Sequence, residues 1–213
     1  MPSLYPVFLQ MEGKNCLVVG GGSVGLRKVQ ALLECGAWVE VVSPQVCSQL
    51  EDLAQAGRIR LTLRPFQDGD ERGRFLVFAA TGDTELNQHI ARRCHAVQGW
   101  LNAVDDPAHC DFYVPALLRR GDVTVAVSTA GSSPLLAGKL RDEIAAVCGE
   151  EWGALAQILG EVRERVTASG LDYAGKKALY ASLLQQDFLE LLRQGKEEEV
   201  RERVDLCISS WLG

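Results

Sequence analysis

The chain has 213 residues, 47% of them apolar and 23% charged, with a formal net charge of -6. That balance is ordinary for a globular protein, and the length suits one sizeable domain with an extension or two small ones. The acidic excess excludes nucleic-acid binding through bulk charge and leaves only a local basic patch for an anionic ligand.

From residue 15 to about 105, short apolar runs rich in β-formers alternate with helical patterns. The runs are 16–19, 38–42, 59–63, 75–80 and 100–104, and helices are expected over 24–35, 45–56 and 83–97. Gly36 and Gly57 stand where helix ends need a left-handed residue. Near-continuous apolar strands alternating with helices predict a parallel sheet covered on both faces. Glu40 lies inside the second strand and reads as an edge or solvent-facing position.

After residue 111 the rhythm changes. Segments 112–118 and 123–128 read as two strands of a hairpin turning at Arg120, Gly121 and Asp122. Ser133 and Pro134 open a helix running to about Cys148, with serine suited to the N-cap and proline to the first turn. The remainder is helical. One stripe comprises Trp152, Leu155, Leu159, Val162 and Val166; a second runs from Tyr180 to Leu192; a third takes in Val200, Val204, Ile208 and Trp211. The fold class is therefore α/β: a Rossmann-like parallel sheet over 1–112, a hairpin-plus-helix element over 113–149, and a C-terminal helical bundle over 150–213. The apolar hairpin and helix suggest a dimerisation element.

The chemistry begins at Gly20, Gly21, Gly22, Ser23, Val24 and Gly25, a G-x-G-x-x-G spacing between a strand and a helix. Gly20 permits a tight turn and Gly22 lets the backbone approach a pyrophosphate. Gly25 lets helix and strand pack closely, and the first-turn N–H groups face the anion. The acid that usually holds the adenosine ribose after the second strand is missing. Ser43, Pro44 and Gln45 stand there instead, so the ribose would meet the serine hydroxyl or backbone groups. No arginine follows to receive a 2′-phosphate, which favours NAD over NADP. Thr81, Asn102 and Asp105 fall at carboxyl ends of other strands, where open α/β sheets bind ligands. Asp105 reads equally as a general base and as a turn-capping residue, and its neighbour Asp106, before Pro107, reads as a turn former.

Seven scattered cysteines without a C-x-x-C pair read as reduced thiols, and three histidines lack metal-ligand spacing, so no metal site is expected. The opening residues show no charged-then-apolar leader, and no apolar run approaches a membrane span, so the expected location is the cytoplasm, with no membrane partner.

Several segments taken in order carry a resemblance. They are Tyr5-Pro-Val-Phe8, the glycine turn continued to Lys28, Val42-Ser43-Pro44, Ala79-Ala-Thr81 with Asn87, Asn102-Ala-Val-Asp105, Cys110-Asp-Phe-Tyr-Val-Pro115, and Val125 to Pro134. Together they resemble the precorrin-2 dehydrogenase / sirohydrochlorin ferrochelatase family of sirohaem synthesis. The match covers residues 5 to about 140; the C-terminal helices agree only in character.

The resemblance implies an NAD-dependent oxidoreductase that converts precorrin-2 to sirohydrochlorin, in some members with Fe²⁺ insertion as a second activity. It implies that NAD is bound without the usual acid and that the chain forms a homodimer. It tips Asp105 towards catalysis. It also assigns Ser128, Thr129, Ala130, Gly131, Ser132 and Ser133 to the substrate, whose eight carboxylates suit a loop of hydroxyls and N–H groups at a helix start. Arg119, Arg120, Lys139 and Arg141 flank that loop and read individually as surface charges. The competing reading from another class is an NAD(H)-sensing module whose helices dock a partner. A general short-chain oxidoreductase would need a Y-x-x-x-K pair, which Tyr173-x-x-Lys176 does not supply.

Overall fold

The computed structural model describes residues 4–212, leaving aside the side chain of Leu212. The chain divides into two compact units, 1–114 and 115–213.

The first unit is a five-stranded, wholly parallel sheet in the order β3-β2-β1-β4-β5. The strands are β1 (Asn15–Gly21), β2 (Trp38–Val46), β3 (Arg60–Thr62), β4 (Leu76–Ala79) and β5 (Trp100–Ala103). The helices are α1 (Ser23–Glu34), α2 (Ser48–Gln55) and α3 (Thr84–Ala96). Strand alternation sorts the core onto two faces. Cys16, Val18, Val41 and Phe78 pack with Leu26 and Val29 of α1 and Leu50 of α2. Leu17, Val19, Val77 and Leu101 pack with Ile90 and Cys94 of α3 on the other face. Both faces are covered, as the continuous apolar runs predict. Gly36 (φ +74) and Gly57 (φ +67) take the left-handed conformation just beyond α1 and α2.

Two expectations need correction here. Helix α2 starts at Ser48, three residues later than expected, because β2 runs on through Pro44 and Gln45 until Val46 pairs with Gly21. Pro44 is tolerated because the pairing of β2 with β3 has already ended at Val42 and Thr62, so its missing N–H interrupts no bond on that side. Glu40 is buried rather than solvent-facing. Arg74 donates to it at 2.7 Å and the Thr62 hydroxyl at 3.0 Å, with Arg60 3.7 Å away. Burial alone would raise its carboxyl, but the Arg74 and Thr62 hydrogen bonds and the two guanidinium charges outweigh that and hold it below its ordinary value.

The second unit opens with the antiparallel pair β6 (Ala116–Arg120) and β7 (Val123–Val127), turning at Gly121 (φ +52). The first strand begins after Pro115, not at Phe112. Helix α4 (Pro134–Val147) follows, with Leu136 N–H donating to the Ser133 hydroxyl at 3.2 Å as an N-cap. Next come α5 (Glu150–Ala168), α6 (Tyr173–Leu184), α7 (Phe188–Arg193) and α8 (Glu197–Leu212). Their core holds Leu155, Ile158, Val162, Leu179, Phe188 and Val204, among others. The stripe expected from Tyr180 to Leu192 is broken between α6 and α7, yet both pieces turn Leu183 and Leu191 into one core, so the apolar spacing survives the break. Among the described residues no helix is long and apolar enough to cross a membrane.

Candidate active site

The glycine turn is built by close approach. Gly20 has φ +119, and a Cβ on it would lie 2.3 Å from the Ala80 carbonyl oxygen. A Cβ on Gly21 would meet the Gln45 oxygen at 2.2 Å, and one on Gly25 the Gly20 oxygen at 2.2 Å. Each of the three is glycine because backbone occupies the place of a side chain. Gly22 differs: it is exposed, and a Cβ there would meet nothing within 4 Å. It caps α1 without a side-chain hydrogen bond, and the first turn contains no acid. The first bond into the helix runs from Leu26 N–H to the Gly22 oxygen at 2.9 Å. The amides of Ser23, Val24 and Gly25 precede it and have no intrahelical acceptor. Open backbone, unsatisfied N–H groups and the positive end of a helix form a cradle that fits a pyrophosphate.

Neighbouring strand ends are tied to this turn. Cys47 N–H donates to the Gly21 oxygen at 2.9 Å, which brings the 43–46 end of β2 alongside. Ser43 is buried and its hydroxyl donates to the Gln45 carbonyl at 2.6 Å, so its proton is already used; Pro44 and Gln45 are exposed. The next element, Thr81, is clamped by Asn87, a buried residue on α3. The Thr81 hydroxyl donates to the Asn87 side-chain oxygen at 2.7 Å, and the Asn87 amide donates back to the Thr81 carbonyl at 3.1 Å. Asp83 caps α3 through Leu86 N–H at 3.0 Å.

At the end of β5, Val104 N–H donates to the Ala79 oxygen at 2.9 Å. Asn102 is buried, and its amide donates to the Phe112 carbonyl at 2.9 Å. Asp105 is exposed and has φ +58, a left-handed conformation uncommon outside glycine, asparagine and aspartate. Asp106 is the N-cap of the short 3-10 turn Pro107–His109, but its side chain makes no capping bond and pairs instead with His109 Nδ1 at 2.7 Å. Thus the glycine turn, 43–45, Thr81 and Asp105 line the carboxyl edge of a single sheet. Asn102 lies beneath that edge as a support.

Two residues that the sequence motifs include without a role of their own stand beside them. Cys110, read as one of the reduced thiols, is bonded to the backbone on both sides of Asp105. Lys28 is half-buried over the Phe78 ring, 5.5 Å from its centre. Burial, reinforced by neighbouring Arg27, pushes its ammonium below the ordinary lysine value. An aromatic partner fifty residues away leaves no sequence signal. All seven thiols are free, but only Cys16 and Cys94 are buried, and that burial pushes both up to about 11; the other five are half-buried. No group of three metal-ligating side chains occurs among the described residues.

The 128–133 loop belongs to the second unit. Thr129 and Ser133 are tied to each other: Ser133 N–H donates to the Thr129 hydroxyl and that hydroxyl to the Ser133 carbonyl, both at 3.0 Å. Ala130 (φ +51) and Gly131 (φ +85) make the turn left-handed, and Ser132 is exposed at its tip. Of the flanking cations, Arg120 donates to the Cys148 carbonyl at 3.0 Å, Arg141 pairs with Asp142 at 2.6 Å, and Lys139 lies 3.8 Å from Glu143.

A parallel sheet with an open glycine cradle at the start of its first helix defines a dinucleotide-binding α/β protein. Comparison with known proteins agrees: residues 7–116 match the family described as putative NAD(P)-binding. The chain belongs to that family. Residues 120–146 match a second description, sirohaem biosynthesis protein central, and 151–206 a third, sirohaem synthase dimerisation region. Curated relatives include a siroheme synthase of Thioalkalivibrio sulfidiphilus, 38% identical over 98% of this chain and 42% of its own length. Another, from Methylococcus capsulatus, is 38% identical over 93% of this chain and 42% of its own length. The chain thus spans about two-fifths of the length of these relatives. Among solved structures, one named SirC, precorrin-2 dehydrogenase, shares the fold with a TM-score of 0.78 at 24% identity, over 95% of this chain and 99% of that one. The resemblance drawn from the motifs is borne out.

Proposed function

We propose that this protein is an NAD-dependent dehydrogenase that oxidises precorrin-2 to sirohydrochlorin in sirohaem biosynthesis. The observation that carries the reading is Asp105, displayed in a left-handed turn on the same sheet edge as the open cradle at Gly22. The names of the curated relatives and the shared fold support it.

Bound at the cradle, NAD⁺ would supply the hydride acceptor. The chain's own residues do the rest. The amides of Ser23, Val24 and Gly25 hold the pyrophosphate, and the exposed 44–45 segment lies beside the adenosine ribose with no carboxylate and no arginine, which suits NAD over NADP. Asp105 accepts a pyrrole proton as the ring loses its hydride. Thr81 shapes the nicotinamide side of the edge, and Asn102 supports the strand end that carries Asp105. The 128–133 loop, with Ser128, Ser132 and its N–H groups, takes substrate carboxylates. Asp105 could serve Fe²⁺ insertion through the same proton acceptance. The proposed organisation is a nucleotide domain over 1–112, a dimerisation element over 113–149 and a helical domain over 150–213, working as a cytoplasmic homodimer.

The test mixes the protein with NAD⁺ and precorrin-2 and follows the absorption spectrum. Conversion to the sirohydrochlorin spectrum with formation of NADH is expected, and Asp105→Ala should lower turnover by about 100-fold or more while keeping NADH affinity. Binding of NADH without conversion would instead favour the sensing module. Adding Fe²⁺ to purified sirohydrochlorin in the same cuvette tests the chelatase step.

A further inference from the structure

We propose that Cys110 is a positioning residue whose thiol holds the Asp105 turn in the conformation that presents the carboxylate. This inference rests on the reading of Asp105 as the proton acceptor.

The need for a tie comes from the turn itself. Segment 103–106 folds back on a long bond, Asp106 N–H to the Ala103 oxygen at 3.4 Å, with Asp105 third in the turn at φ +58. A side chain in that region is disfavoured, less so for aspartate than for most residues. Such a conformation persists only where its surroundings over-determine it, and it collects at functional sites. Pro107 follows directly and confines Asp106 to non-helical backbone (φ -130, ψ 74). Nothing in that short segment alone would keep Asp105 left-handed.

Cys110 supplies what the segment lacks. Its Sγ accepts from Ala103 N–H at 3.2 Å and lies 3.2 Å from the Ala103 oxygen and 3.3 Å from the Asp106 oxygen. The thiol hydrogen can serve either carbonyl. One sulfur therefore grips the residue two before Asp105 and the residue just after it. The cysteine is itself anchored. Asp111, next in the chain, exchanges bonds with Leu101: its N–H donates to the Leu101 oxygen at 2.8 Å and its carboxylate accepts Leu101 N–H at 2.9 Å. The Asn102 amide holds Phe112 beyond, and its nitrogen also approaches Sγ at 3.7 Å. Chain 110–112 is thus fixed to β5, and the thiol transmits that fixity to the turn. Burial pushes the Cys110 thiol up, so it stays protonated and able to donate. Sulfur suits the place because it reaches three backbone atoms at 3.2–3.3 Å, where the shorter C–O bond of serine would reach fewer.

The experiment compares Cys110→Ala, Cys110→Ser and Asp105→Asn in the full chain. NADH affinity, melting temperature, the kcat/KM split for precorrin-2 and a crystal structure of each cysteine variant are measured. The expectation for Cys110→Ala is NADH affinity within about twofold of the parent, a near-unchanged KM, and a kcat lower by about 10- to 100-fold. Residue 105 should leave the left-handed region, and Cys110→Ser should recover part of kcat and of the turn. A Cys110→Ala protein with parental kcat, or with residue 105 still at positive φ, overturns the proposal. So does a kcat loss matched by an equal loss of NADH affinity, which would mark a general structural role. If Cys110→Ala fails to fold, the same readings on Cys110→Ser decide. Full turnover in Asp105→Asn would sink the reading of Asp105 as proton acceptor, whereas the crystal structures judge the thiol's hold on the turn independently.

Discussion

Gly22 and Gly25 are three residues apart, and alanine at each should have opposite consequences. Gly22 has φ -84 and open space where a Cβ would stand, so Gly22→Ala should leave the melting temperature unchanged or slightly raised. Its methyl group would nevertheless project into the cradle and hold a pyrophosphate away from the amides of α1. An NADH titration should show about tenfold weaker binding or worse, equivalent to about 1.4 kcal/mol. At Gly25 the Cβ would collide with the Gly20 carbonyl at 2.2 Å, and backbone cannot swing aside as a side chain would. Gly25→Ala should therefore lose about 3 kcal/mol of stability in chemical denaturation. Unchanged NADH affinity in the first variant would remove the pyrophosphate from this turn. These roles were legible because glycine spacing between a strand and a helix encodes backbone geometry directly. The role of Cys110 was not, since a thiol bonding to backbone four and seven residues away leaves no pattern.

At the scale of elements, the sheet was legible and its margins were not. Apolar runs separated by helix-ending glycines are a strong local signal for parallel strands, but strand ends depend on which neighbour is still paired. Pro44 looks like a breaker, yet it sits where β3 has already stopped, and β2 continues on its other edge to Val46. Glu40 shows the same limit. Its partner Arg74 is 34 residues away, so alternation could suggest only an exposed position. The buried pair allows a test of how β2 is held to the 63–75 connection. Glu40→Gln removes the charge but keeps the shape, leaving Arg74 facing an amide, and should cost about 3 kcal/mol at pH 7. The carboxyl is held below its ordinary value, so its contribution is fully present above the unfolded value of about 4.3 and is lost as pH falls through the lower folded value. Denaturant midpoints measured from pH 7 down to 3 should converge for the two proteins at the acid end. Parallel curves would mean that Glu40 contributes through packing alone.

At the scale of the whole molecule, the second unit carries apolar surface that its own packing does not use. Helix α4 buries only Ala137, while Leu135 is 88% exposed, Leu136 56%, Leu140 44% and Val147 73%. Leu136, Leu140 and Val147 recur at helical spacing and share one face. A contiguous apolar face on a helix that packs a hairpin is the kind of surface a symmetric dimer covers. The family description that carries the word dimerisation falls instead on 151–206, where Leu184 (63%) and Leu206 (70%) are exposed. Paired variants separate the two placements. If α4 forms the seam of the proposed homodimer, Leu136→Glu with Leu140→Glu should shift the protein from dimer to monomer in light scattering without loss of helical signal, and the symmetric contact would place two repelling pairs on its axis. Leu184→Glu with Leu206→Glu should leave the dimer intact, since those positions lie on the helical bundle. The reverse result would move the seam to the bundle. A parent protein that is monomeric at tens of micromolar would refute the dimer itself, and the apolar face of α4 would then need another occupant.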